Sequence, residues 1–191
     1  MCIRDRPNTP ESVDAWGRPV RRWKSRVAGG AVGDILWALT LLLPVFFVSA
    51  LLSALLSVAL GLRGSDITSP VTTTVSDVDR WIAILTVAIL VPIGEEIFYR
   101  GFATNAWGRS LSRNSVMLRA AFFFAAVHII NVTSTDAGLS LKAALFNMTV
   151  RIPIAIALTW IYMRRRSLIA SATLHGSYNG LIVVLGILAS Y

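Results

Sequence analysis

Residues 93–101 read Ile-Gly-Glu-Glu-Ile-Phe-Tyr-Arg-Gly and place two adjacent glutamates, Glu95 and Glu96, inside apolar sequence. The approach, residues 81–93, is almost wholly apolar, so the pair and Arg100 lie within what reads as a membrane span. A charged side chain at the centre of a bilayer costs on the order of 2.5–3.5 kcal/mol on insertion scales. Because of that cost, charged groups at such depth usually serve a function and face a water-filled cavity between helices.

The composition supports a membrane protein. Of the 191 residues, 55% are hydrophobic and 15% are charged, whereas soluble domains average about 25% charged residues. The net charge of +8 comes mainly from arginines beside apolar runs, a pattern typical of orientation in the bilayer and contact with anionic lipids. It does not favour nucleic acid as a partner. The lone cysteine, Cys2, excludes an internal disulfide and a cysteine-based zinc site.

Five apolar stretches predict an all-α, polytopic bundle of about five transmembrane helices within residues 28–191. Each stretch is near or above the roughly 20 residues that cross a hydrocarbon core. The stretches cover residues 35–62, 81–107, 116–132, 139–163 and 168–189, and the third is the shortest. Residues 1–27 are polar, basic and rich in proline, which predicts a disordered tail.

The distribution of basic residues predicts the orientation in the cell membrane. With the tail in the cytoplasm, most of the 18 Lys and Arg residues fall inside, in the tail, in residues 109–119 and in residues 164–166. Only Arg63, Arg80 and Lys142 then fall outside. This bias predicts a cytoplasmic N-terminus for a multi-pass protein.

Both histidines of the chain also lie in apolar segments, and His175 is followed four residues later by Asn179. Residues four apart share one helix face. At a rise of 1.5 Å per residue, Glu95 lies about 21 Å below the outer start of its helix, and His175 lies roughly 12 Å above the inner start of its own. By the same measure, His128 lies about 18 Å from the inner face of the membrane. The three side chains are therefore expected to meet in the cytoplasmic half of the bilayer.

This set of side chains suits amide hydrolysis. A carboxylate with a histidine beside it can activate water as a general base, and a second histidine with an asparagine can stabilise an oxyanion. Metal chemistry stays open, because two histidines and a carboxylate form a known catalytic zinc set. The candidate ligands are Glu95, His128 and His175.

Three short motifs resemble those of a known family. The motifs are Glu95-Glu96-x-x-x-Arg100, Phe124-x-x-x-His128 and His175-x-x-x-Asn179. Their order and spacing resemble the CPBP family, also called the ABI family, which includes the type II CAAX prenyl endopeptidases and the bacteriocin-processing or immunity proteins. The resemblance covers roughly residues 81–180.

The resemblance implies a metalloprotease-like intramembrane endopeptidase whose substrate is a peptide or protein in the membrane. It implies that Glu95 is the general base and that His128 assists it in activating water, in preference to a tightly bound metal. It also implies that His175 and Asn179 donate hydrogen bonds on the oxyanion side.

Three further roles follow from the residues themselves. Glu96 and Arg100 are four apart, which favours an ion pair on one helix face and leaves Glu95 free as the base. Arg151 lies mid-span and is expected either to pair with Glu96 or to bind a substrate carboxylate. Pro92 precedes the acidic pair, where it either kinks the helix and admits water or is a tolerated membrane proline.

Two other classes of function remain open from the sequence. A membrane immunity or binding protein could keep this fold without using its chemistry. A proton-coupled transporter also uses intramembrane glutamates and histidines, although five spans show no inverted repeat.

Overall fold

The structure, a computed structural model, describes residues 30–63, 77–131 and 137–188. These residues are helical apart from short turns and contain no strand, so the predicted all-α fold is confirmed. The predicted tail, residues 1–27, lies outside the described residues.

The chain forms a series of helices whose longest members are α1 and α8. In order, the helices are α1 (Gly30–Leu60), α2 (Asp77–Leu85), α3 (Val91–Glu96), α4 (Asn105–Gly108), α5 (Arg113–Val127), α6 (Ala137–Val150), α7 (Ile152–Arg165) and α8 (Leu168–Leu188). Two π-helical segments, Thr86–Leu90 and Ile97–Thr104, join α2, α3 and α4 into one helix, residues 77–108, here called the acidic helix. A 3₁₀ turn, His128–Asn131, continues α5.

Four helices in the described part of the chain are long and apolar enough to cross a membrane. They are Gly30–Leu60, Trp81–Gly108, Gly138–Arg165 and Leu168–Leu188, and they match four of the five predicted spans. The remaining predicted span, residues 116–132, corresponds to α5, which has only 15 residues. This helix ends early because the His128 ring bonds the carbonyl oxygen of Phe124 through Nδ1 at 2.7 Å. In a continuing α-helix, the backbone N–H of His128 would bond that oxygen instead.

The predicted span 139–163 is broken in the middle, which the sequence analysis did not anticipate. Arg151 forms a turn between α6 and α7, and its N–H bonds the carbonyl oxygen of Met148 at 3.3 Å. Pro153 explains the break, because proline has no N–H to continue the helical ladder and its ring crowds the preceding turn. The break places the Arg151 side chain at the centre of the span Gly138–Arg165.

Helix α8 lies at the centre of the bundle and packs against α1, α7, α3 and the first π-helical segment, while α5 packs against α7. The buried core includes Phe124, Leu158, Ile161 and Leu174. Large apolar side chains also cover the outside, as Phe47 illustrates at 69% exposure. An apolar exterior around a core that contains charged residues is the arrangement expected of a protein with lipid as its solvent.

Candidate active site

Glu96 and Arg100 form an ion pair that is almost completely buried, as their i, i+4 spacing predicts. The Arg100 Nη1 donates to Glu96 Oε1 at 2.8 Å, and the two side chains are 0% and 1% exposed. Arg100 Nη2 also donates to the carbonyl oxygen of Ala155 in α7 at 3.4 Å. The same Glu96 oxygen bonds His175 Nδ1 at 3.0 Å. Glu96 is therefore a fixed structural anion that joins the acidic helix to α8.

Glu95 is held quite differently from its neighbour. Its side chain is 27% exposed, and its Oε2 faces His175 Nε2 at 3.7 Å. That oxygen is buried and has no hydrogen-bond partner among the described residues. The separation is too long for a direct hydrogen bond. An unsatisfied carboxylate oxygen beside an imidazole nitrogen is suited to hold a water molecule or a substrate atom.

Phe124 brings the two histidines and Arg100 to one place. The Arg100 guanidinium lies 4.6 Å from the centre of the Phe124 ring, a distance at which cation–π attraction is effective. The His128 ring lies 4.9 Å from Phe124, and the His175 ring lies 5.4 Å from it on an edge-to-face contact. The expected convergence of the three motifs is therefore present, and Phe124 is the side chain that they share.

Hydrogen bonds fix the proton positions on both imidazole rings. A carbonyl oxygen can only accept, so His128 Nδ1 carries the hydrogen that bonds Phe124. The Glu96 carboxylate, paired with Arg100, likewise accepts from His175 Nδ1. In the neutral form of either ring, Nε2 is therefore the nitrogen without a hydrogen.

Asn179 has a partner that the sequence analysis did not anticipate. Its Nδ2 donates to the carbonyl oxygen of Val87 in the first π-helical segment at 3.1 Å. In that segment the Val91 N–H bonds Thr86, one residue further back than in an α-helix. In the same register, the carbonyl oxygen of Val87 would accept from the N–H of residue 92. Residue 92 is proline and has no N–H. Asn179 therefore supplies the donor that Pro92 lacks.

The same region explains a glycine in α8. A Cβ atom on Gly176 would overlap the carbonyl oxygen of Ala88, so any larger residue would push α8 away from the acidic helix. Of the two roles predicted for Pro92, the structure supports a local change in the helix, and the change is a π-helical segment that receives α8. This close approach sets the distance between the acidic pair and His175.

Arg151 does not pair with Glu96, so that predicted role is wrong. Glu96 is bonded by Arg100 and His175, and Arg151 Nη1 instead donates to the backbone and side-chain oxygens of Asn147 at 2.8 and 2.9 Å. The guanidinium is close enough to interact electrostatically with Glu95 and with His128. Arg151 therefore lies near the same cluster, at the break between α6 and α7.

The predicted metal ligands do not assemble into a metal site in the described part of the chain. No group of three His, Cys, Asp or Glu side chains there has the arrangement needed to hold a metal ion. Glu95 and His175 approach each other, whereas the His128 ring is turned onto Phe124 and its own helix end. A catalytic zinc needs three protein ligands, so the arrangement does not fit a resident zinc ion.

Three contacts at or near the site escaped the sequence analysis. Asn147 orients Arg151, and its i, i+4 spacing could have revealed that pair. The Ser171 hydroxyl lies near Glu96, one helical turn from His175. Asp34 of α1 is buried and pairs with Arg165 Nε at 2.7 Å. No local signal predicts the last pair, because its members are 131 positions apart.

The fold and the site together define a polytopic membrane protein with a carboxylate–imidazole cluster between its helices. The family model described as Rce1-like, type II CAAX prenyl endopeptidase Rce1-like, matches residues 77–181. The match covers more than half of the chain and includes all three motifs, and the chain belongs to this family. Membership supports a CAAX-type protease of the membrane. No curated protein and no solved structure matches the chain.

Proposed function

We propose that this protein is an intramembrane endopeptidase that hydrolyses a peptide bond of a membrane-associated peptide or protein. The observation that carries the proposal is the contrast between two adjacent carboxylates. Glu96 is neutralised by Arg100 and bonded by His175, whereas Glu95 Oε2 faces His175 Nε2 without a hydrogen bond. The Glu95 side chain is 27% exposed and the Glu96 side chain is 1% exposed, so Glu95 is the carboxylate that water reaches.

In the proposed reaction, the Glu95 carboxylate takes a proton from a water molecule as the water oxygen attacks the peptide carbonyl carbon. His128 Nε2, left unprotonated by the hydrogen bond to Phe124, is the second acceptor that orients this water. The tetrahedral intermediate collapses when Glu95 returns the proton to the departing amine nitrogen. The C–N bond breaks, and the products are a carboxylic acid and an amine.

The oxyanion of the intermediate needs hydrogen-bond donors on the opposite side. His175 Nε2 is a donor on this side when it carries a hydrogen in addition to the one on Nδ1. Asn179 uses one amide hydrogen on Val87 and retains the second for the oxyanion. This assignment gives Asn179 both a structural and a chemical role.

The surface beside the site supports an apolar substrate. A cavity of about 450 Å³ lies between the acidic helix and α8, and Glu96 is the one charged residue in its lining. The other lining residues are Ala88, Ile89, Ile93, Ile97, Leu168, Ile169, Ala172 and Thr173. Such a wall suits a lipid-modified or apolar segment that enters from the bilayer. We place the N-terminus in the cytoplasm and the site in the cytoplasmic half, following the distribution of basic residues.

The test is cleavage of fluorogenic peptides, prenylated and unprenylated, by protein purified in detergent. The wild type is compared with Glu95→Gln, each with and without a chelator. Cleavage that Glu95→Gln abolishes and that a chelator does not affect supports the proposed mechanism. Loss of cleavage with a chelator and recovery with zinc would replace it with a metalloprotease mechanism. A Glu95→Gln variant that cleaves normally would overturn it, and a wild type that cleaves nothing would favour an immunity or transport role.

A further inference from the structure

Two buried tyrosines, Tyr99 and Tyr162, differ in what their hydroxyl groups contact. Tyr162 of α7 is 6% exposed, and its hydroxyl oxygen accepts a hydrogen bond from Asn105 Nδ2 at 2.7 Å. Tyr99 of the acidic helix is 8% exposed, and its hydroxyl group has no hydrogen-bond partner among the described residues. A buried tyrosine hydroxyl usually finds a partner, so Tyr99 holds an unused donor inside the bundle.

Neighbouring aromatic rings determine which way this donor can act. On the outer side, the partly exposed rings of Phe98 and Phe123 lie 5.1 and 5.6 Å from the Tyr99 ring. On the inner side, the buried ring of Phe124 makes an edge-to-face contact with it at 5.1 Å. The Tyr99 oxygen itself is not sealed from solvent. Because Phe98 and Phe123 cover the side that faces lipid, the open space at this oxygen lies within the bundle.

Helix spacing places Tyr99 beside the proposed base. Glu95 and Tyr99 are four residues apart, and the next pair along the chain with this spacing, Glu96 and Arg100, meets at 2.8 Å. Glu95 and Tyr99 are therefore neighbours on the adjacent face of the same turn. The electrostatic interaction between their side chains agrees with this placement.

Phe124 connects Tyr99 to the two histidines. Its ring centre lies 5.1 Å from that of Tyr99, 4.9 Å from that of His128 and 5.4 Å from that of His175. All three side chains therefore lie at one level of the bundle, around a shared ring. A peptide bond that is attacked at Glu95 lies between these groups.

The unused hydroxyl group is the kind of donor that the proposed reaction needs. Negative charge develops on the carbonyl oxygen of the substrate, and fixed hydrogen-bond donors lower the barrier by stabilising it. His175 Nε2 donates only when the ring carries a second hydrogen, and Asn179 already uses one amide hydrogen on Val87. A tyrosine hydroxyl is neutral and carries its hydrogen at neutral pH.

We propose that the Tyr99 hydroxyl group donates a hydrogen bond to the carbonyl oxygen of the scissile peptide bond as that oxygen becomes an oxyanion. This inference rests on the proposed peptidase function, because it names a further catalytic residue of the same reaction. Glu95 takes the proton from water, and Tyr99 keeps its own proton and stabilises the charge that forms on the substrate. The aromatic contacts hold the ring before the substrate arrives, so little reorganisation is needed during the reaction.

Tyr99→Phe tests the proposal, because it removes the hydroxyl group and keeps the ring that packs on Phe124. Peptide cleavage in detergent gives kcat and KM for the wild type, Tyr99→Phe and Glu95→Gln. We expect Tyr99→Phe to lower kcat about 10²- to 10³-fold, the range for removal of one oxyanion donor. KM and the melting temperature should stay near the wild-type values, since the hydroxyl group bonds no described residue in the free protein.

Tyr162→Phe is the matched control. It makes the same chemical change in a similarly buried tyrosine whose hydroxyl group is bonded by Asn105. It should lower the melting temperature, because it removes a hydrogen bond between the acidic helix and α7, and it should leave kcat at the wild-type value. The two variants are thus expected to change opposite quantities.

A peptide phosphonate provides a second readout, since its tetrahedral anionic group resembles the intermediate. Its Kd is measured by competition with a fluorescent peptide, for the wild type and for Tyr99→Phe. We expect Tyr99→Phe to weaken phosphonate binding by about the same factor as kcat/KM, because a donor to the oxyanion acts on the transition state. Binding of the fluorescent peptide itself should be unchanged.

A Tyr99→Phe protein that cleaves at the wild-type rate would overturn the inference, and so would a change in KM alone. The proposed function would stand in either case if Glu95→Gln is inactive. Equal weakening of phosphonate and peptide binding, or a lowered melting temperature with unchanged kcat, would give the hydroxyl group a structural role and also overturn the inference. A wild type that cleaves nothing would overturn the proposed function and the inference together.

Discussion

The site has two sides that are one residue apart in the sequence and opposite in character. The paired side comprises Glu96, Arg100 and the Nδ1 face of His175, and every charge in it has a partner within 3.0 Å. The open side comprises Glu95, His128 and Arg151. Its shortest charge contact among the described residues, between Glu95 and His175, is 3.7 Å long. The same residue types therefore build a rigid frame on one side and an accessible surface on the other.

The reason for the difference is helical geometry. Successive residues of a helix point about 100° apart, so Glu95 and Glu96 cannot share one environment. Glu96 Oε1 is bonded by both Arg100 and His175. Glu95 is directed to the partly exposed space between the helices. A single adjacent pair thus supplies both a structural anion and a free base.

Glu95→Gln should have the largest effect, a loss of about two to four decades in kcat/KM, because it removes the proton acceptor and keeps the shape. The measurement is peptide cleavage in detergent together with the melting temperature. We expect the melting temperature to change little, since Glu95 Oε2 makes no hydrogen bond that the amide would break. A variant that instead unfolds would show that the open side also stabilises the fold.

Arg100→Leu should mainly damage the fold. It leaves the Glu96 carboxylate buried without its cation, which costs about 3–5 kcal/mol in comparable buried pairs. Unfolding in mixed micelles by denaturing detergent measures this free energy, and we expect a reduced protein level as well. Normal protein level with a purely catalytic defect would contradict the structural assignment.

The double variant Glu96→Gln with Arg100→Gln is the control for this prediction. It removes both charges at once, so no uncompensated ion remains and part of the stability should return. If the double variant is as unstable as Arg100→Leu, the packing of the Arg100 side chain against Phe124 accounts for the loss, and the charge does not.

Asn179→Ala should lower the free energy of unfolding by about 1–3 kcal/mol, because it leaves the Val87 carbonyl oxygen without a donor inside the bundle. Pro92→Ala supplies a backbone N–H at the position that proline blocks. In the Asn179→Ala background it should therefore recover part of the stability. The same unfolding assay on all four proteins measures the coupling between the two positions.

Cleavage activity, measured on the same four proteins, separates the two roles of Asn179. If it also donates to the oxyanion, Pro92→Ala should restore stability and leave kcat low. Full recovery of both quantities would reduce Asn179 to a structural residue. Additive changes in stability would show that Pro92 and Asn179 do not act on the same carbonyl group.

Arg164→Gln should have the smallest effect, because Arg164 belongs to neither side of the site. It is exposed and lies 5.6 Å from the centre of the Trp160 ring. Cation–π contacts at exposed positions contribute about 0.5–1 kcal/mol. The melting temperature should fall slightly and kcat/KM should stay at the wild-type value. A large loss of activity would mean that the edge of α7 takes part in the site.

The features that depend on local spacing and composition could be predicted from the sequence. The length of the apolar runs predicted four spans that the structure contains, and the spacing of Glu96 and Arg100 predicted their ion pair. Three motifs were sufficient for the family. Helical depth predicted that Glu95 and His175 would meet, and their side chains lie 3.7 Å apart. Each of these predictions uses the position of a residue within its own helix, because helix pitch and bilayer thickness are fixed quantities.

The contacts between helices could not be predicted in this way. The Asn179 bond to Val87, the fit of Gly176 against Ala88 and the pair of Asp34 with Arg165 each join helices that are distant in sequence. Which faces meet depends on helix rotation and packing, and a local pattern does not encode either. The π-helical segments belong to the same class, since a register change is stable only where a neighbouring helix supplies the missing hydrogen bond.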